Sequence, residues 1–511
     1  MAEADRLLIT GGRVYDHDGD VHHPGHADVL IEGDEIVCVE PGLADLLAGD
    51  GPAPRVIDAD DKLLVPGFVN AHYHSHDVLL KGCFETLPLE TWVLSALPPS
   101  YPKRSREEVR ARTLLGAAEC LRNGITTIQD MLTLFPFDPD HLDIVMEAYR
   151  EIGIRTVFAL QIGDLKGLDR VPFWRETVPE AFHAHLSAAV EPFGGQDPAE
   201  LAAEHYLRHR DADPRITWAL GPTSPEFCSP ALLERLAALS EAHDLPVVSH
   251  IYESKSMALS GRMFMPEHGG SQVRYLKATG LLTPRLSLAH SVWMAPDEIE
   301  LMAEAGANAV LCPAGNLKTK SGIAPARDYI AAGVNLGLGC DNCSCGDAQN
   351  MFQAMKLLCG LAAVSDPEPG PPTAADAMRT ATLGGARAGG LDGRVGAIRP
   401  GMKADISILD LGSLALVPLN SAARQLVFAE GGAAVETVIV AGRVVVADRR
   451  LTTIDETALR QAVDDVMPGV HADLDAVTER IAQISPGLLE AWRRSWRADV
   501  GLNRYVAGSE E

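Results

Sequence analysis

Three histidines stand at alternate positions in "NAHYHSHD": His72, His74 and His76. In an extended strand, residues i, i+2 and i+4 line one face, so such imidazoles point the same way. Neutral imidazole is the commonest metal ligand near pH 7, and metal binding is the chemistry this spacing offers. The competing reading is a strand end that is histidine-rich without chemical purpose. Groups of the same kind recur downstream. His250 is followed by Glu253 in "SHIYE", His290 sits in "LAHSVW", and Asp341 sits in "LGCDN". Each can ligate a metal or move a proton. A lone histidine at a strand end is more often a structural residue, so the elements that carry these groups must decide.

The run before the first histidines, Leu63–Ala71, is apolar on nearly every residue, as in a strand buried on both faces of a parallel sheet. Strand-like segments follow at 124–131, 154–163, 215–224, 245–253, 285–294, 307–316 and 333–342, which with 63–74 makes eight. Helical patterns lie between several of them, at about 105–122, 229–244 and 295–306, with the usual Ser-Pro, acidic and Gly boundary signals. Eight buried strands alternating with helices predict a (β/α)8 TIM-like barrel. A doubly wound sheet would want a Gly-rich phosphate loop after an early strand, and the sequence has none. Chemistry in such a barrel gathers at the C-terminal strand ends. His72 and His74 end strand one, His250 strand five, His290 strand six and Asp341 strand eight. That shared edge makes a common site the better reading.

The chain ends have a different texture. Short strands punctuated by Gly and Asp fill residues 6–60 and recur in "GAIRPGMKADISILDLG" and "VETVIVAGRVVVADRR". The expected organisation is a β-sandwich built from residues 1–62 and 394–454, a metal-dependent barrel over 63–393, and a helical tail over 455–511. The chain has 511 residues and a formal net charge of −26, which repels phosphate backbones and excludes nucleic acid as an expected partner. It has no apolar run of ~18 residues, so no membrane span is expected. "MAEADRLLIT" lacks a basic region followed by an apolar core, so no secretory signal is expected. Nine scattered cysteines suit a reducing, cytoplasmic setting. The cluster Cys340, Cys343 and Cys345 lacks the second cysteine pair that a structural zinc site needs.

"VPGFVNAHYH", "SHIYE", "LAHSVW" and "LGCDN" together resemble the amidohydrolase superfamily. They are most similar to its mononuclear branch of cytosine and guanine deaminases and triazine chlorohydrolases. The resemblance spans nearly the whole chain and includes the sandwich segments and "LPLETWV" (87–93), which looks like the first barrel loop. It implies that His72, His74, His250 and Asp341 bind one divalent metal per chain, Zn2+ first and Fe2+ second. It also implies that Glu253 shuttles protons and that His290 holds the water or substrate. Asp341 would in addition accept the water's proton. "ITWALGPTSP" has no lysine to bridge a second ion on strand four, in keeping with one metal. His76 falls beyond the strand end, either as a solvated loop residue or as a substrate contact. Cys343 and Cys345 would face the pocket. Candidate substrate contacts are Lys81, Thr223, Ser224, Tyr252 and Trp293. The expected activity is hydrolytic deamination of an aminated heterocycle. Hydrolysis of an amide, urea or carbamate, or displacement of a ring halide, is the alternative on the same site, and a non-catalytic metal-binding protein is a remote third. A small-molecule substrate and a homo-oligomer, dimeric or larger, complete what the resemblance implies.

Overall fold

The computed structural model describes residues 6–47, 53–165, 167–186 and 193–505. Residues 1–5 and 506–511, the outer ends of the expected sandwich and tail, lie outside the described residues.

The central sheet is wholly parallel and follows chain order: Phe68–His74, Ile125–Leu132, Arg155–Ile162, Ile216–Pro222, Val247–Ile251, Leu286–His290 and Asn308–Leu311. The eighth strand is broken. Its first half, Asn335–Leu338, pairs with strand seven, and its second half, Asp341–Asn342, pairs with strand one through Asp341↔Tyr73 and Asn342↔His74. The ring therefore closes through the break. Gly339 lies in it, and a Cβ there would stand 2.6 Å from His72 Cβ, so only glycine lets the two strands approach. Val69, Met131, Val157, Ala159, Ala219 and Val248 pack together with Leu391 and Val395 in one buried cluster. These apolar side chains fill the barrel interior as a core, not a pore. The surrounding helices begin at side-chain caps, such as Ser105, Asp138 and Ser229.

The strand expected over 63–74 is two strands. Lys62–Pro66 belongs to a separate six-stranded sheet, and the chain enters the barrel only at Phe68. Gly67 makes the crossing, where any Cβ would collide with Thr126. In the six-stranded sheet Lys62–Pro66 pairs antiparallel with Ile406–Asp410, so residues from both ends of the sequence share one sheet. A four-stranded sheet from Arg6–Thr10, Asp28–Glu32, Glu35–Glu40 and Arg55–Asp58 accompanies it. Leu7, Ile9, Ile31, Ile36, Leu64, Ile406 and Ile439 form a common core. A buried bidentate pair, Arg155 with Asp405 at 2.7 and 2.9 Å, ties barrel strand three to the segment leading into the sandwich.

The tail forms two helices, Glu456–Ile481 and Ser485–Arg497. The second packs on Leu89–Ala96, Trp174–Thr177 and Lys255–Phe264, helices that extend from the barrel's loops. Beyond it, Arg504 O accepts from Ile323 N (2.8 Å), and Tyr505 stacks on Trp496. Among the described residues no helix is long and apolar enough to cross a membrane.

Candidate active site

His72 Nε2 lies 3.2 Å from His74 Nε2, which lies 3.3 Å from His250 Nε2. Asp341 Oδ1 lies 3.4 Å from His72 Nε2 and 3.7 Å from His74 Nε2. Backbone carbonyls fix two of the rings, because His74 Nδ1 donates to Met131 O (2.5 Å) and His250 Nδ1 to Thr223 O (2.5 Å). A carbonyl only accepts, so Nδ1 carries the proton and Nε2 a bare lone pair. Burial holds His74 and His250 well below the usual imidazole range, which keeps those lone pairs free. Two lone pairs facing each other at 3.3 Å repel, and a cation between them reverses the sign. The three nitrogens lie within 4.8 Å of one another. Three neutral imidazoles beside a carboxylate suit Zn2+ or Fe2+ and leave room for a further ligand. Burial alone would push the Asp341 carboxyl up. The hydrogen bond with His72 and the neighbouring imidazoles outweigh it and hold the carboxyl well below the usual range. Cys345 Sγ donates to Asp341 Oδ2 (3.3 Å).

Beside these groups, Glu253 Oε2 stands 3.3 Å from His290 Nε2. His290 Nδ1 bonds Asn316 Oδ1 (2.9 Å), so the Nε2–Glu253 contact is left to share one proton. Burial pushes Glu253 up to about 7, with His290 pulling the other way, which suits both giving and taking a proton near neutral pH. The backbone is strained here. Tyr252, His290, Ser291 and Asp341 all adopt positive φ, at 47°, 67°, 50° and 64°. Each costs on the order of 1 kcal/mol or more in a non-glycine residue, and together they turn the chain sharply at the tops of strands five, six and eight.

A cavity opens on these groups, with His74, His250, Glu253, His290 and Asp341 in its wall. Of the expected substrate contacts it includes Thr223 and Ser224 and not the other three. Lys81 pairs with Glu119 on the first loop. Tyr252 donates its hydroxyl to Glu298 (2.7 Å) and accepts from Gln272 N (2.7 Å), held among strand-to-helix connections. Trp293 donates to Ser321 O (2.7 Å) and its ring is covered by Tyr505 of the tail. His76 is neither solvated nor a wall residue. It is buried in the turn after strand one, with Nδ1 facing Thr133 N (3.4 Å) and Nε2 facing Asn342 (3.3 Å). Burial pushes it down to about 3. Cys343 and Cys345 do not line the cavity either, since Cys343 faces Gln349 (3.3 Å) and Cys345 faces Asp341. Sequence reasoning missed Asn316, Gln161, Glu90, Glu226 and Arg170. Glu226 had a signal, since it lies just past the strand-four end in "TSPEF".

Known proteins share this arrangement of chain. Residues 63–445 match the profile described as the amidohydrolase family. A 5'-deoxyadenosine deaminase of Methanothermobacter thermautotrophicus is 33% identical over 455 residues, 88% of this chain and 96% of that protein. An adenosine deaminase from Xanthomonas campestris, solved with bound zinc, superposes with a TM-score of 0.79 at 30% identity, over 91% of this chain and 98% of that one. An atrazine chlorohydrolase from Arthrobacter aurescens TC1, solved with zinc, superposes with a TM-score of 0.76 at 25% identity, over 90% of this chain and 100% of that one.

Proposed function

The chain belongs to the amidohydrolase family, and from that premise we propose that it is a metal-dependent hydrolase that deaminates an aminated heterocycle, the ring of an adenosine-like compound being the first choice. Its ligands are His72, His74, His250 and Asp341, holding one divalent ion, Zn2+ before Fe2+. Such an ion, when bound, activates a water and polarises the carbon under attack.

The chain's own groups do the rest. The Asp341 carboxylate, ionised in its imidazole surround, takes the proton that the attacking water loses. Glu253 gives a proton to the ring nitrogen beside the attacked carbon, and that carbon becomes tetrahedral as the water oxygen bonds to it. His290, braced by Asn316, orients the water and the developing oxygen. Glu253 takes a proton from the new hydroxyl and hands it to the departing amine, and the proton held by Asp341 then passes back to Glu253. A carbon–oxygen bond forms, the carbon–nitrogen bond breaks, and ammonia leaves. The observation that carries this reading is the buried Glu253–His290 pair, 3.3 Å apart in the wall of the same cavity as the ligands. The two deaminase relatives support it. Nine unpaired cysteines support a cytoplasmic setting.

Zinc-loaded protein offered aminated purines, their nucleosides, aminopyrimidines and aminotriazines releases ammonia from at least one purine. The likeness to the chlorohydrolase favours a second reading, displacement of a ring halide on the same site. Chloride from a chlorotriazine, with no ammonia from any amine, would establish that reading instead.

A further inference from the structure

Away from the ligands, the cavity wall carries two more carboxylates, Glu90 from the first loop and Glu226 from the turn after strand four. Both are buried, at 6% and 1% exposed. Glu226 Oε2 accepts from Ser224 Oγ, and Glu90 Oε1 accepts from Ser254 Oγ (2.7 Å). The second oxygen of each, Glu226 Oε1 and Glu90 Oε2, has no partner. Ser256 and Ser260, one turn apart on Lys255–Phe264, line the same cavity with buried, unpartnered hydroxyls. That helix packs against Pro225–Phe227, which carries Glu226.

Buried polar atoms are almost always paired, and a buried acceptor without a donor costs about 1–3 kcal/mol. Two such carboxylate oxygens in one cavity wall are a demand for hydrogens, and the two hydroxyls beside them can each accept one or give one. We propose that Glu226 and Glu90, with the hydroxyls of Ser256 and Ser260, form a subsite for a substrate substituent that donates hydrogen bonds and carries no negative charge, an alkylammonium or a vicinal diol. It rests on the deaminase reading for the ring that this substituent is attached to. An ammonium or diol supplies donors to the orphaned oxygens, whereas a carboxylate or phosphate would face like charge. Burial pushes Glu226 up to about 7, and a hydrogen-bond donor at its second oxygen would favour the ionised form. Arg170 is the single cationic side chain among the lining residues. Its guanidinium lies over the Phe264 ring at 5.4 Å and its charge also acts on Glu226, so an anionic substituent would have to compete with Glu226 for it.

The test uses adenines bearing at N9 a short chain that ends in ammonium, diol, methyl or carboxylate. Matched purines without the 6-amino group allow binding to be followed by calorimetry without turnover. The zinc-loaded full-length protein should bind the ammonium or diol purine at least about tenfold more tightly than the methyl one, the worth of one hydrogen bond to a charged group. The carboxylate purine should bind most weakly. E226Q should erase most of that preference. S260A, which removes only an unpartnered hydroxyl, should reduce it and guards against misfolding of E226Q. An ammonium preference that fades with added salt identifies the cation as the group recognised, and a salt-insensitive diol preference identifies the polyol. Equal binding of methyl and donor forms, tightest binding of the carboxylate, or a preference that both variants keep would overturn the subsite. Donor preference without ammonia from any adenine would overturn the deaminase reading and leave the subsite standing. Failure of every purine to bind would overturn both.

Discussion

Glu253 and the ligands are neighbours with separable duties, and substitution can part them. Glu253→Gln keeps size and reach but cannot cycle a proton. Metal content should stay at about one equivalent per chain while kcat falls at least about a hundredfold, the usual worth of a general acid–base group. Near-normal turnover would remove Glu253 from proton transfer. Chelation should abolish activity, and His72→Ala or Asp341→Ala should strip the metal, as elemental analysis would report. His76→Ala should keep the metal. Because His76 is buried and not solvated, that variant should nonetheless lose about 1–3 kcal/mol of stability. Glu226 gives a pH test that needs no substrate. Its pKa rises from 4.5 unfolded to about 7 folded, so between those values the unfolded state binds fewer protons and stability falls as pH rises. Above about pH 7 the loss levels off, at roughly 3 kcal/mol. Denaturant titrations at pH 4.5 and pH 7.5 should therefore show E226Q gaining on the parent as pH rises. A parallel pair of pH curves would mean that Glu226 is not desolvated.

The helix Ser485–Arg497 lies on two of the helices that line the cavity, Leu89–Ala96 and Lys255–Phe264. A chain ending at Ile484 should keep its metal but lose at least about tenfold in kcat/KM, since a mouth open to water positions substrate poorly. Loss of metal along with activity would make the tail a brace for the barrel instead. The helical character of the tail was readable in sequence, but its docking partners were not, because a helical pattern says that a face is buried and not against what. Strand ends were the most legible elements. His72, His74, His250, His290 and Asp341 could be gathered from apolar runs alone, since a buried strand announces where it stops. Legibility failed one or two residues further on. Alternation says that Tyr252, two past His250, should share its face. The positive φ at Tyr252 breaks the alternation and sends the ring toward Glu298. His76 fails for a similar reason, because the strand ends at His74 and the short helix Ser75–Leu80 tucks under Arg112, which donates to His76 O (3.1 Å). Glu226 was passed over because its turn, not its strand, carries it to the wall.

On the scale of the whole molecule, the broken eighth strand sets a dependence between assembly and chemistry. Residues 68–74 and 341–342 bound the barrel's stretch of chain and lie far apart in sequence, and their pairing covers just two residues on the far side of the break. The backbone ladder of a seam that short offers few hydrogen bonds against the entropy of joining it, and side-chain bonds such as Cys340 N to Asn70 Oδ1 and Ser344 N to Asp77 (both 2.9 Å) supplement it. Yet the proposed ligands straddle it, His72 and His74 on one lip and Asp341 on the other. An ion there is a rivet through the last joint of the ring, and its binding energy is also closure energy. Hydrogen exchange should report this directly. In the chelated protein, amides of Asp341, Asn342 and residues 72–74 should exchange faster than those of strands two to four, and loading zinc should slow the seam more than any other part of the barrel. The same joint would make the loss of metal self-reinforcing, because each opening parts the ligands and lowers the affinity that would have held the ring shut.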